Sequence, residues 1–226
     1  IKKIDIIIMN WQKALSNFRM YLRIERGLSE NSIENYSLDI RSFKDFLYNQ
    51  RIDETPLNCK QETVKKYIYE TAKILSEHTQ ARRISGLRSF FDYLIFEKYR
   101  STNPTDLVEI PKLGKKLPDV LSVNEIELIL KNLDLSHPQG HRNRAIVETL
   151  YGSGLRVSEI INLNLSNLFF KESLIQVSGK GNKQRLVPMG SVSKKHLEIY
   201  IKQVRNCQKI DNKYQDLVFL NRNGKQ

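Results

Sequence analysis

At 226 residues, with 37 Lys and Arg against 25 Asp and Glu, the chain carries a formal net charge of +12 and is long enough for one or two domains, each with its own core. Such an excess of cations favours a polyanionic partner, because every neutralised phosphate releases counterions; the alternative is a basic but otherwise ordinary soluble protein. Two cysteines far apart, Cys59 and Cys207, argue against a disulfide framework and for a reducing cytoplasm, while the apolar run at 6–9 is too short for a bilayer and lacks a signal-peptide cleavage pattern. The charge is uneven. Residues 1–112 hold 19 Lys and Arg against 15 Asp and Glu, net +4, and residues 113–226 hold 18 against 10, net +8.

Residues 1–10 read as a disordered lead or one added in cloning, with Met9 a candidate natural start. From 11 to 26, Trp11, Leu15, Phe18 and Leu22 recur every three or four residues, which is one helix face, and Gly27 ends it. Ser29 can cap a second helix to about residue 49, with Ile33, Tyr36, Ile40, Phe43 and Leu47 inward. A third helix spans about 61–74. The fourth starts after Ser76, with an apolar face of Ile84, Leu87, Phe91, Leu94 and Ile95. That leaves Thr79, Gln80, Arg82, Arg83 and Arg88 on other faces. The pattern predicts a four-helix domain over 11–100 with one basic polar surface. This surface is either a solvated helix face or a helix laid in a DNA major groove, with Arg and Gln pairing to base edges and Thr to phosphates.

Over 101–118 the periodicity lapses around Asn103-Pro104, Ile110-Pro111 and Leu117-Pro118, with Lys112, Lys115 and Lys116 between them. This reads as a linker to a second domain, 119–226. Ser122 and Glu125 form a capping box ahead of a helix to about 133. Helices are predicted over 141–151 and 156–163, a hairpin with strands at 174–177 and 185–189, a long helix over 191–209 with Leu197, Tyr200, Ile201 and Val204 inward, and a short strand at 217–220. The fold class is therefore mainly α: a helical domain followed by a mixed α+β domain with a small antiparallel sheet.

Two cations stand out. Arg156, in Tyr151-Gly152-Ser153-Gly154-Leu155-Arg156-Val157-Ser158-Glu159, falls near a helix start, where backbone donors favour an anion. Lys180 sits between glycines at the hairpin turn, in Gly179-Lys180-Gly181-Asn182-Lys183-Gln184-Arg185. Without metal-ligand clusters, an Arg and a Lys suggest phosphoryl transfer by charge stabilisation: guanidinium bridges two oxygens, and ammonium stabilises or protonates a leaving oxygen. Glu159, one turn after Arg156, either orients that guanidinium or is an ordinary helix-surface pair. There is no G-x-x-x-x-G-K-[ST], and Gly179-Lys180-Gly181 alone is often only a turn. Tyr151 and Tyr200 read as helix-face core residues, and His141, beside Arg142 and Arg144, as a helix-start histidine or a phosphate contact.

Three stretches carry a resemblance. The first helices, with Gly27-Leu28-Ser29-Glu30-Asn31-Ser32, Tyr36, Asp39 and Phe43, resemble a SAM-like core-binding domain. Pro111-Lys112 through Leu117-Pro118-Asp119-Val120-Leu121-Ser122 is similar to a family linker, and the Arg156 and Lys180 motifs, the latter running on through Leu186-Val187-Pro188, are the most specific. Over about 11–226 the sequence resembles the tyrosine recombinases (phage-integrase family), in particular the Xer subgroup. The resemblance implies that Arg156 is the first catalytic arginine and Lys180 the general acid on a 5′-hydroxyl leaving group, with Lys183 and Arg185 joining the fourth-helix residues as DNA contacts. It implies a DNA phosphodiester substrate, a 3′-phosphotyrosyl intermediate, and no metal, nucleotide or other cofactor. It also implies a homo- or hetero-tetramer with a related recombinase on DNA and suggests chromosome-dimer resolution as the role, with movement of an integrated element as the alternative and an activating DNA translocase left open.

The family pattern continues with His-x-x-Arg-His, a later His or Trp and the nucleophilic tyrosine, all beyond the Asn221-Arg222-Asn223-Gly224-Lys225 stretch. None of the ten tyrosines stands in that position, and His78, His137, His141 and His196 do not form that motif. No nucleophile is therefore assigned, and the chain is expected to lack the C-terminal part of the catalytic domain and to bind DNA without cutting it. Asn167, where many relatives carry aspartate, puts only a local contact in doubt. A second reading is an inactive DNA-binding architectural or regulatory factor, and a third a helical interaction fragment with little salt-dependent DNA affinity.

Overall fold

The computed structural model describes residues 9–114, 117–137, 139–179, 181 and 183–226. Lys180 lies outside the described residues, as do Lys115 and Lys116 of the expected linker and residues 1–8 of the expected lead. The chain divides into two units, Ile1–Leu117 and Pro118–Gln226. Among the described residues no helix is long and apolar enough to cross a membrane, and Cys59, buried, and Cys207, exposed, are free thiols.

The first unit holds α1 (Trp11–Ile24), α2 (Glu30–Asn49), α3 (Gln61–Ala72) and α4 (Glu77–Phe96). Their faces follow the 3.6-residue period: Leu15, Phe18 and Leu22 of α1, Ile33, Ile40, Phe43 and Leu47 of α2, and Ile84, Leu87, Phe90, Phe91 and Leu94 of α4 are buried together. Phe18 lies edge-on to Phe90 at 5.4 Å and Trp11 edge-on to Phe43 at 5.4 Å. Such pairs add about 0.5–1.5 kcal/mol beyond their area. The Trp11 indole N–H donates to the Glu54 carbonyl at 2.7 Å. Ser29 and Ser76 accept from the third-residue N–H groups of α2 and α4, as caps do.

Two expected boundaries shift. Met9 is buried, and the Asn10 side chain caps α1 by accepting from the Lys13 N–H, so these two residues belong to the unit and not to a lead. The first part of the expected linker also folds onto this unit. Asn103, Thr105 and Val108 are buried, the Asn103 amide donates to Asp92 at 2.7 Å, and its oxygen accepts from the Thr105 N–H and hydroxyl. Polar side chains do this work, which is why hydrophobic periodicity did not reveal it.

The second unit runs α5 (Val123–Lys131), α6 (Gly140–Ser153), α7 (Val157–Ile161), the strands β1 (Leu168–Phe169), β2 (Leu174–Ser178) and β3 (Gln184–Pro188), and α8 (Ser191–Ile199). The sheet is antiparallel in the order β1-β2-β3, with Ile175 opposite Val187 and Val177 opposite Arg185. Alternation puts Ile175 and Val177 on the buried face, against Ala145, Ile160, Leu197 and Tyr200. The capping box of Ser122 and Glu125 is present.

Three expectations here are corrected. Tyr151 is 53% exposed and not core, while Tyr200 is fully buried as expected, stacked on Phe219 at 5.5 Å. The long helix stops at Ile199 and continues as a π-helical turn, Tyr200–Val204, and a 3-10 turn, Arg205–Cys207. In that arrangement the Tyr200 hydroxyl accepts from the Leu220 N–H, and buried Arg205 donates to the carbonyls of Leu217 and Gln215. The segment 217–220 is not a strand of the sheet: it is buried, bends at Val218, and is joined to the rest by the Asn164–Leu217 bridge, the Val218 N–H to Leu163 bond and the arginine just described. Burial on both sides made its apolar run look like a strand.

Candidate nucleic-acid interface

Arg156 is placed by the backbone around it. Gly154 ends α6 in the left-handed region, φ 60°, which a side chain would disfavour, and the chain then runs extended through Arg156 into α7. One turn on, the Glu159 carboxylate accepts from the Arg156 backbone N–H at 2.8 Å and from its guanidinium at 2.9 Å. Arg185 of β3 donates to the same carboxylate through both terminal nitrogens, at 2.7 and 2.9 Å. The Glu159 side chain is 2% exposed, whereas that of Arg156 is 72% exposed. The Arg185 hydrogen bonds, with those from Arg156, outweigh burial and hold the Glu159 carboxyl down at about 2. The result is one buried anion between two guanidinium groups, with the outer face of Arg156 open to a phosphate.

The hairpin turn starts beside this trio. The Gly179 N–H donates to the Lys183 carbonyl at 2.8 Å, closing the loop. A Cβ on Gly179 would stand 3.4 Å from the Arg185 guanidinium and 3.6 Å from the Glu159 carboxylate. The loop that carries Lys180 thus leaves the sheet next to Glu159, and Lys183 is exposed. Glu159 exceeds its sequence reading as an i,i+3 partner. Arg185, expected as a DNA contact, is committed to Glu159 from 26 residues away, a pairing that no local spacing signals.

In the first unit the five α4 candidates divide. Arg82 donates to Asp39 at 2.7 Å with 46% of its side chain exposed. Half-buried Arg83 donates to the hydroxyls of Ser42 and Tyr67. Thr79 shares its hydroxyl with the Ser76 cap, and Gln80 donates to the Ile68 carbonyl at 3.3 Å. Arg88 turns to the carbonyls of Thr105 and Val108. Arg82 and Arg83 are therefore held side by side, and Arg88 ties down the segment after α4. Asp39, Ser42 and Tyr67 were missed as parts of this surface. Burial pushes the Asp39 carboxyl above its ordinary range, against the pull of Arg82.

His141 is half-buried, with no hydrogen-bond partner on its Nδ1 among the described residues. Asn167 closes a short 3-10 turn, and the contact beside it is made by Ser166, which bonds Asp216.

Residues 119–226 match the model described as the phage integrase family, and residues 15–98 that of the phage integrase N-terminal SAM-like domain. Curated relatives include the tyrosine recombinase XerD of Oceanobacillus iheyensis, 36% identical over 94% of this chain and 71% of the relative. The tyrosine recombinase XerD of Staphylococcus aureus is likewise 36% identical, over 95% and 72%. Among solved structures, the Tn1549 transposon integrase in complex with a circular intermediate DNA shares the fold, with a TM-score of 0.68 and 20% identity over 94% of this chain and 72% of that one. So does XerH site-specific recombinase bound to a palindromic difH substrate, with a TM-score of 0.67 and 20% identity over 93% and 62%. With both units matched and more than a third of the positions shared with XerD proteins along nearly its whole length, the chain belongs to the tyrosine recombinases of the phage integrase family.

Proposed function

We propose that these residues bind a duplex recombination site and present its scissile phosphodiester to Arg156 and Lys180, in a recombinase that cuts and rejoins strands through a 3′-phosphotyrosyl intermediate. The observation that carries this reading is the Arg156–Glu159–Arg185 trio. A buried carboxylate fixes one side of a guanidinium whose other side is open, and fixes beside it the base of the loop that bears Lys180. Guanidinium in that setting bridges two non-bridging phosphate oxygens. Lys180 then supplies the proton to the departing 5′ oxygen. Storage of the phosphodiester on a tyrosine lets a second DNA end reclaim it, so no external energy source or cofactor is needed.

Further DNA contacts are assigned to Thr79, Gln80, Arg82 and Arg83 on α4 and to Lys183 at the hairpin, while Arg88 and Arg185 act from behind, Arg88 holding the segment after α4 and Arg185 holding Glu159. The partners are duplex DNA, related recombinase subunits in a tetramer and an activating DNA translocase. Likeness to XerD proteins supports chromosome-dimer resolution in the cytoplasm as the role. No tyrosine of these 226 residues is assigned as the nucleophile, and by themselves they are proposed to bind without cutting. A nicked suicide duplex incubated with this polypeptide should give a salt-sensitive complex and no denaturation-resistant adduct. A covalent protein–DNA product would overturn the claim that no nucleophile is present.

A further inference from the structure

A charged residue deep in the first unit has no part in the chemistry above. Asp39, on α2, is 2% exposed, and one of its oxygens has no hydrogen-bond partner among the described residues. The other accepts from Arg82 of α4 at 2.7 Å. Room for this carboxylate comes from Gly86, one turn after Arg82. A Cβ there would lie 2.5 Å from Asp39 Oδ2 and 3.0 Å from both its Cβ and Cγ. The carboxyl group thus sits in a notch on α4, under the guanidinium of a residue whose side chain remains 46% exposed.

Stability alone does not account for this arrangement. A buried ion pair recovers its desolvation cost only with good geometry and satisfied lone pairs, and apolar groups of similar volume usually do as well or better. Here one lone-pair set is unsatisfied and the cation is half in water, both of which weaken the pair as a tie between helices. What the pair does achieve is orientation. Arg82 has five N–H donors in a rigid plane, and among the described residues one is engaged, by Asp39. The bond to Asp39 restrains one end of the guanidinium, and the side chain, 46% exposed, keeps donors available to a ligand. For a long side chain, prior ordering removes an entropic cost that would otherwise fall on binding.

We infer that Asp39 is a positioning residue: seated in the Gly86 notch, it holds the Arg82 guanidinium in place for a DNA phosphate. This rests on the reading of α4 as a DNA-facing element. The inference has a signature opposite to simple electrostatics. Removing a negative charge close to DNA should tighten binding by relieving repulsion; loss of a positioning group should weaken it.

The test measures affinity of the 226-residue protein for a fluorescent duplex of about 30 base pairs across a salt series, with thermal unfolding of each variant as a control. Asp39→Asn, nearly isosteric, should weaken binding about threefold or more, Arg82→Gln should also weaken it, and the double variant should be no weaker than Arg82→Gln alone. Arg82→Lys keeps the charge and leaves Asp39 in place. It should also lose about threefold or more, which keeps the inference testable if Asp39→Asn does not fold. Wild-type binding with unchanged or tighter binding by Asp39→Asn, or unchanged binding by Arg82→Lys, overturns the positioning role and leaves the DNA-binding reading standing. Absence of salt-dependent binding by the wild type overturns that reading, and the positioning role with it.

Discussion

Gly86→Ala should destabilise the first unit by about 2–3 kcal/mol, although glycine to alanine inside a helix ordinarily stabilises by close to 1 kcal/mol. The added methyl would stand 2.5 Å from a carboxylate oxygen of Asp39 and 3.0 Å from two of its carbons, well inside van der Waals contact. Asp39 has little room to swing aside, since it is buried and bonded to Arg82. Relief must therefore come from separating α2 and α4, which share the aromatic core built on Phe43, Phe90 and Phe91. In a unit of this size the loss corresponds to a drop in Tm of roughly 10–20 °C. Adding Asp39→Ala to Gly86→Ala should recover part of it. If Gly86→Ala raises Tm in calorimetry, the notch is not tight and the packing of α2 on α4 is misjudged.

Glu159→Gln is the corresponding change in the second unit. The wild-type carboxylate accepts four hydrogen bonds, from the Arg156 backbone, the Arg156 guanidinium and both ends of Arg185. An amide keeps the shape but replaces one acceptor with a donor aimed at a cation. Removing one partner of a fully buried pair costs about 3–5 kcal/mol, but water reaches both guanidinium groups here, so a loss of about 1–3 kcal/mol is expected. The dependence on pH follows from the depressed carboxyl. Its folded value of about 2 lies below the ordinary glutamate value of 4.5, so its contribution is complete above about 4.5 and disappears as the pH falls towards 2. The stability difference between wild type and Glu159→Gln should shrink over that window, with faster amide exchange at Gly179 in the variant at neutral pH. A difference independent of pH between 2 and 5 would show that the charge of Glu159 does not hold the trio together.

These two sites also mark what could be read from the sequence. The helices and their inward faces were legible because burial repeats with the pitch of the backbone: Phe18, Ile40, Phe43 and Leu87 stand where the 3.6-residue period puts them. The hairpin was legible from glycines between two apolar runs, and the pairing of Arg156 with Glu159 from their one-turn spacing. Polar pairings across long separations were not. Asp39 meets Arg82 over 43 residues and Glu159 meets Arg185 over 26, and neither distance leaves a trace in local spacing. The same holds for Arg205, whose carbonyl contacts accompany the change from α8 into a π-helical turn. The segment 217–220 failed for a related reason: burial on every side looks the same in sequence whether a chain pairs in a sheet or threads a core.

Net charge by itself produces salt-dependent attraction to any DNA, and selectivity is what distinguishes a protein that binds a recombination site. The most direct measurement is selection of bound duplexes from a random-sequence pool by the 226-residue protein, followed by sequencing. Enrichment of a defined motif, with retention weakened across sequences both by Arg82→Gln in unit one and by Lys183→Gln at the hairpin, is the expected result. Retention of duplexes with no enriched motif after repeated rounds would contradict the assignment of this chain to a recombination site.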